Sequence, residues 1–332
     1  MSEKNLKIVL ASRPTGWVEE SNFRLVEEAV PAPDDGEVLV RVKWLSLDPY
    51  MRGRMSEGKS YAARVELGEA MVGGTVGEIA SSRHPGFAVG DKVLGTQGWQ
   101  RFATSSGQGL VKLPDPRLPE TAWLGAAGMP GITAWMGLTQ IGAPRAGETV
   151  VVSSASGAVG SVAGQLARIA GCRAVGIAGG AAKCDYVVKE LGFDACVDYK
   201  AGGLDAALKS ALPAGADIYF DNVGGEILDA VIRRTNPGAR IALCGLIAGY
   251  NGGEIPIRNV FNLLVNRIRL QGFIVSDRMD LWPGAMKELA GHIAAGRLRY
   301  RETIAEGLEA APRAFIGMLK GENLGKQLVR VA

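Results

Sequence analysis

Cysteine and histidine are both scarce. The 332 residues contain four cysteines, Cys172, Cys184, Cys196 and Cys244, and two histidines, His84 and His292. No two cysteines have CxxC spacing, none precedes Cys172, and neither histidine has a cysteine nearby in sequence. A catalytic zinc held by two thiolates and an imidazole lacks its usual ligands, so no metal is expected. His84, in SSRHPGF, reads as a turn residue before Pro85, and His292 as part of a helix-like stretch. The cysteines lie in apolar or strand-like surroundings and read as reduced core residues, which favours the cytoplasm. An excess of one charge is also missing: 37 basic and 34 acidic side chains, net +3, are mixed along the chain. That leaves no basic stripe to follow nucleic acid. No apolar run is long enough to cross a bilayer, and the start MSEKNLK puts charges where a signal peptide places its apolar region, so no export is expected.

What is present is the composition of a soluble globular protein, 47% apolar and 21% charged, with no internal repeat and no low-complexity segment. The first part alternates in polarity over short runs, such as GEVLVRVKWLSL (36–47) and MVGGTVGEIA (71–80), between Gly, Pro and Asp clusters. This predicts a β-rich, barrel-like unit over residues 1–124. From about Gly147 apolar strands alternate with helices: TVVVSS, RAVGIA, ACVDY, ADIYFDN and ARIALCG, then RIRLQGFIV (267–275) and a helix ending near Gly296. Repeated βα units predict a doubly wound parallel sheet of α/β class over residues 125–297. The tail, residues 298–332, reads as strand, helix and strand, and is expected to complete the first domain.

Two glycine-rich stretches compete for a phosphate group. GRMSEGKS (53–60) fits the phosphate-loop pattern of nucleoside triphosphatases. A working phosphate loop joins a buried strand directly to a long helix. Here Asp48-Pro49 breaks the strand before Gly53, and the possible helix YAARVELG meets Gly68 within about two turns, so the match reads as chance. SSASGAVGSVAG (153–164) has the missing context, a continuous apolar strand in front and a helix behind. In that helix Val159, Val162, Ala163, Leu166, Ala167 and Ala170 form one apolar face, and Gly171 suits its stop. The loop reads Ala155-x-Gly157-x-x-Gly160, a dinucleotide fingerprint with Ala in place of the first glycine. Gly157 lets a pyrophosphate approach the backbone and Gly160 lets the helix pack tightly. A dinucleotide site for NAD usually carries an acid about twenty residues on. The stretch from Ser161 to Cys184 has none and ends in AVGIAGGAAK, with Lys183 following Gly179 and Gly180. A neutral pocket with a lysine repels no 2′-phosphate, so NADPH is favoured over NADH. Taken alone, Lys183 could equally be a solvated lysine in a first helical turn.

Together these residues resemble the zinc-independent medium-chain dehydrogenase/reductases, and more narrowly the NADPH-dependent alkenal/one oxidoreductases that include leukotriene and prostaglandin reductases, plant double-bond reductases and bacterial curcumin reductase. The markers are LSLDPYMRGRM (45–55), GMPGITAW (128–135), SASGAVG (154–160), YFDNVGGE (219–226), CGLIAGYN (244–251), GFIV (272–275) and GENLGKQLV (321–329). The resemblance implies a Rossmann cofactor domain and a GroES-like catalytic domain. It implies that Gly157, Ala158, Val159 and Gly160 lie at the pyrophosphate, and that Gly179, Lys183 and Tyr199 lie at the 2′-phosphate end. Asn222, Cys244, Phe273, Val275 and Asn323 would border the nicotinamide and its ribose, with Thr133 nearby. Tyr50 and Tyr250 would be the active-site tyrosines, Tyr250 also touching cofactor; as plain residues they read as a packed aromatic and a loop tyrosine.

Without a metal to polarise a carbonyl, the chemistry expected is hydride delivery to the β-carbon of an α,β-unsaturated aldehyde or ketone and protonation of the enolate. Quinone reduction by NADPH, and NADPH binding without turnover, are the alternative readings. The resemblance further implies a homodimer joined along the sheet edge near RIRLQGFIV.

Overall fold

The structure is a computed structural model that describes residues 3–58 and 60–331. Lys59 of the GRMSEGKS match, and Met1 and Ser2 of the charged start, lie outside the described residues. The chain divides into two compact units, Met1–Leu124 with Glu302–Ala332, and Gly125–Arg301.

In the first unit, β1 (Lys4–Leu10) and β2 (Phe23–Ala29) form an antiparallel pair. β3 (Val38–Ser46) is followed by the one-turn α1 (Met51–Arg54), then β4 (Thr75–Ser82), β5 (Lys92–Gly95), β6 (Phe102–Ser105) and β7 (Val111–Lys112). β3 shows why the sequence splits its side chains as it does: Val38 and Val40 pack with Ile79, Val93 and Leu110, whereas Val42 and Leu45 join a second cluster with Trp99 and Phe315. Register shifts in its pairing with β4 re-aim the strand between the two cores. The possible helix YAARVELG does not form. Its backbone is drawn outward instead, Val65 N–H donating to Arg54 O at 2.8 Å and Gly68 N–H to Leu10 O at 2.8 Å, which excludes the i to i−4 pattern of a helix.

The second unit opens with α2 (Met129–Met136), which runs on into a wider turn over Gly137–Gly142. Its strands are β8 (Thr149–Ser153), β9 (Arg173–Ala178), β10 (Ala195–Asp198), β11 (Ala216–Asp221), β12 (Thr235–Leu243) and β13 (Arg269–Gly272). Between them run α3 (Gly160–Ile169), α4 (Ala181–Lys189), α5 (Leu204–Ala211), α6 (Gly225–Ile232) and α7 (Val260–Val265), and α8 (Trp282–Ala294) follows. The sheet is parallel throughout, in the order β10-β9-β8-β11-β12-β13. β8 is buried along its whole length, as its run of valines requires of a strand covered on both faces. The strand order reverses between β8 and β11, where doubly wound sheets open a crevice at the carboxyl ends of their strands. On α3, Val162, Ala163, Leu166 and Ala167 are buried as the apolar face predicts, but Ala170 is exposed because the helix has ended and Gly171 turns away with φ +80°. β13 is shorter than RIRLQGFIV. Its last residue, Gly272, pairs with Leu243, the last residue of β12, and Phe273 N–H makes a final contact with Leu243 O at 3.3 Å before the chain leaves the sheet.

The chain then returns to the first unit with β14 (Glu302–Glu306), α9 (Ala311–Leu319) and β15 (Lys326–Arg330). β15 pairs antiparallel with β3, which incorporates the tail into the first sheet. Of the cysteines, all free, only Cys172 is fully buried; Cys184, Cys196 and Cys244 are half-buried. The core assignment is corrected for those three: Cys184 lies in α4, Cys196 in β10, and Cys244 just past β12.

Candidate functional site

The turn from β8 into α3 is built to bring backbone close to a ligand. Ser154 takes a left-handed conformation, φ +50°, and Gly157 N–H closes the turn on Ser154 O at 2.9 Å. A Cβ at Gly160 would lie 2.3 Å from Ser154 O, so that position needs glycine, while one at Gly157 would meet the movable Ser154 Oγ at 2.9 Å and Ser154 O at 3.2 Å. The substituted first glycine also has a local reason. Ala155 is fully buried, and its methyl occupies the space left by Gly176 of β9, where a Cβ would approach it to 2.8 Å. Ser161 N–H and Ala163 N–H donate to Gly157 O and Val159 O at 3.0 Å, so the helical hydrogen bonding begins within the turn, and the turn carries the positive end of the α3 dipole, an arrangement suited to a pyrophosphate. With Gly160 packed on the Ser154 carbonyl and no side chain at Gly157, the turn fits the pyrophosphate of a dinucleotide.

At the ends of β9 and β10 the structure brings Gly179 and Tyr199 together, with Lys183 one turn into α4. A Cβ on Gly179 would meet Tyr199 Cε1 at 2.9 Å and Lys200 Cε at 3.0 Å. Lys183 is half-buried, and burial together with the charge of Lys200 lowers its pKa below that of an ordinary lysine. Burial and then the neighbouring Lys200 charge disfavour the ammonium form of Lys183, and an anion bound there would offset both. Lys200 escaped the reading of the sequence, although it stands next to Tyr199. The nearby acid, Asp198, accepts from Gly180 N–H at 2.7 Å and Lys200 N–H at 2.9 Å, so its charge is tied to the backbone.

Around the reversal point, Asn222 follows β11 and Cys244 follows β12. Asn222 Nδ2 donates to Ser153 O at 2.7 Å, its Oδ1 accepts from Cys244 Sγ at 3.0 Å, and its N–H reaches Ser153 Oγ at 2.8 Å. Burial, then the charge of Asp221, raises the pKa of the Cys244 thiol and keeps it a donor. Asp221 also went unread in the sequence. Fully buried, it accepts from Ser153 Oγ, Tyr219 OH, Val223 N–H and Gly224 N–H, while burial raises its pKa. It fixes the loop that carries Asn222. Phe273 lies edge-on to Phe220, centroids 6.4 Å apart, and against Gly137, where a Cβ would reach its ring at 2.7 Å. Thr133, one turn earlier on α2, is buried and donates to Met129 O at 2.8 Å. Val275 O accepts from Trp282 Nε1 at 3.1 Å. Tyr250 OH accepts from Leu246 N–H at 3.4 Å, which folds it back over the loop after Cys244.

Family models described as "N-terminal domain of oxidoreductase" and "Zinc-binding dehydrogenase" match residues 6–113 and 158–291. The chain is 48% identical to the NADPH-dependent curcumin reductase of Escherichia coli (strain K12), covering 99% of this chain and 98% of that protein. It belongs to the zinc-independent medium-chain dehydrogenase/reductases. A 2-alkenal reductase (NADP(+)-dependent) of Nicotiana tabacum is 40% identical over 99% of the chain and 98% of its own length. The crystal structure of CurA from Vibrio vulnificus in complex with NADPH is 47% identical, with a TM-score of 0.94 over 98% of this chain and 99% of that one.

The family's remaining positions lie in the first unit. Tyr50 precedes α1 and packs on the core there, with the Arg54 guanidinium 5.7 Å from its ring centroid and 5.8 Å from that of Tyr61. Burial, then the charge of Asp48, raises the Tyr50 pKa and keeps its hydroxyl protonated. Asn323 Nδ2 donates to Gly325 O at 2.9 Å and shapes its own turn. GRMSEGKS lacks the strand-to-helix context of a phosphate loop: Gly53 lies inside α1, and Arg52 Nη1 ties Ser56 Oγ at 2.6 Å. His84 Nδ1 accepts from Gly86 N–H at 2.9 Å, and His292 Nδ1 from Arg297 Nε at 3.0 Å. Among the described residues no group of three or more His, Cys, Asp and Glu is arranged to hold a metal ion, despite the wording of the second family description.

Proposed function

We propose that this chain uses NADPH to reduce the carbon–carbon double bond of α,β-unsaturated aldehydes and ketones. The observation that carries the reading is its near-complete alignment, at 48% identity, with a curcumin reductase that uses the same cofactor. Gly157 to Gly160 would hold the pyrophosphate, and Lys183, Tyr199 and Lys200 the 2′-phosphate; Asn222, Cys244, Phe273, Val275, Thr133 and Asn323 would border the nicotinamide ribose end. When bound, NADPH supplies a hydride for the β-carbon of the conjugated alkene. The chain's task is then to stabilise the negative charge that develops on the carbonyl oxygen, and to let a proton reach the α-carbon. Tyr50, kept protonated by its surroundings, and Tyr250, oriented by Leu246 N–H, are the donors for that oxygen. Loss of NADPH absorbance on adding enals, enones, diarylheptanoids or quinones tests the reading. Turnover of enals and enones supports it. Turnover of quinones alone, or of none of these, contradicts it.

The reading extends to a homodimer in a reducing cytoplasm, where four free thiols remain reduced. β13 ends the six-stranded order, and on α7, just before it, Phe261 and Leu264 are each 75% exposed. An open strand edge beside exposed apolar side chains suits a second copy of the chain. Sedimentation should give a dimer that Phe261→Glu converts to monomer; a monomeric parent protein contradicts it. Among the described residues no helix is long and apolar enough to cross a membrane.

A further inference from the structure

The first unit buries an ion pair that the chemistry above does not use. Lys326 of β15 is 3% exposed, and Asp48, two residues past β3, is 5% exposed. Lys326 Nζ donates to Asp48 Oδ1 at 2.7 Å and to the Leu47 carbonyl at 2.6 Å, and the Ser46 hydroxyl donates to Asp48 Oδ2. Alongside, Leu47 N–H donates to the Gln327 carbonyl at 3.1 Å. Around the pair lie Leu45, Leu47, Met51 and Val329 of one apolar cluster, and the half-buried Glu302 carboxyl also interacts with the Lys326 charge.

Removing two charges from water costs several kcal/mol for each, and apolar residues of equal volume often hold such a place as well or better. Stability alone is a weak reason to keep this pair. What it does fix is position. Asp48 is followed by Pro49, whose ring locks its φ, and then by Tyr50. The Asp48 carbonyl accepts from Met51 N–H at 3.1 Å and the Tyr50 carbonyl from Gly53 N–H at 3.0 Å, so the short turn is rigid from Asp48 into α1. Wherever β15 holds Asp48, Tyr50 must follow.

We propose that the Lys326–Asp48 pair is a positioning device that holds the Tyr50 hydroxyl in place for the carbonyl oxygen of the enone. Neither charged residue touches substrate; both act through the turn. The proposal rests on Tyr50 being a donor in the reaction proposed above.

A double-mutant cycle in the full-length enzyme, with NADPH and trans-2-hexenal, tests it. Tyr50→Phe should lower kcat by about a hundredfold, the cost of one oxyanion donor. Lys326→Met should lower it by about tenfold through misplacement of that donor. In the Tyr50→Phe background Lys326→Met should have no further effect, because the group it positions is gone. NADPH affinity, read by fluorescence, should be unchanged in all three. The paired Asp48→Asn/Lys326→Met variant removes both charges and should fold while showing the same loss of kcat. An equal effect of Lys326→Met in both backgrounds overturns the proposal, as does a full-rate Lys326→Met enzyme. A paired variant that does not fold also overturns it, since the fold and not Tyr50 would then need the pair. If Tyr50→Phe alone is harmless, the donor role of Tyr50 fails first, and that result is distinguishable from the others.

Discussion

Lys183 gives the cofactor preference a pH signature. Burial and the charge of Lys200 lower its pKa, so it loses its proton at a lower pH than an ordinary lysine. The charged form attracts a 2′-phosphate, so NADPH affinity should be full at neutral pH. It should weaken as pH rises toward the ordinary lysine value of about 10.4, while NADH affinity stays level. Lys183→Ala or Lys200→Ala should each weaken NADPH binding by about tenfold to a hundredfold, the value of a hydrogen bond to a charged group, and leave NADH unaffected. Titration of both cofactors by fluorescence checks this, and equal losses for the two would contradict it. Lys183 stood out in the sequence because the acid-free stretch from Ser161 to Cys184 isolates it, whereas Tyr199 entered only through the family resemblance. Lys200 was not legible, because nothing in sequence shows that Gly179 leaves room for it. Asp221 was hidden by its setting: in ADIYFDN it reads as the polar end of a strand, and only the fold reveals its convergent donors.

At the scale of elements, α3 depends on a contact outside its own sequence pattern. Gly164 lies where a Cβ would be 1.8 Å from the Phe193 ring, so the helix rests directly on that side chain. Gly164→Ala, which on an exposed helix would be stabilising by about 0.5–1 kcal/mol, should here destabilise by about 1–3 kcal/mol through overpacking. Thermal or urea unfolding measures the sign, and a stabilised variant contradicts the contact. The period of apolar residues foretold α3 and its buried face. It could not foretell Phe193, a residue from a distant loop. Strand ends were illegible for a related reason: β13 stops where β12 stops, and the apolar ring of Phe273 packs edge-on against Phe220 of β11 instead of extending the strand. YAARVELG failed as a helix because its backbone donors find partners in Arg54 and Leu10.

For the whole molecule, alternating βα units announced the parallel sheet, and in the tail β15 pairs antiparallel with β3. The order of strands in the first unit was not legible, since antiparallel pairing depends on contacts distant in sequence. The central claim is chemical: hydride from NADPH goes to the β-carbon of a conjugated alkene, with the carbonyl left intact. Its most direct test is reduction of trans-2-hexenal with NADPH deuterated at the transferring position of the nicotinamide, followed by NMR of the product. The account predicts hexanal with deuterium at C3. Deuterium at C1, in 2-hexen-1-ol, would contradict it.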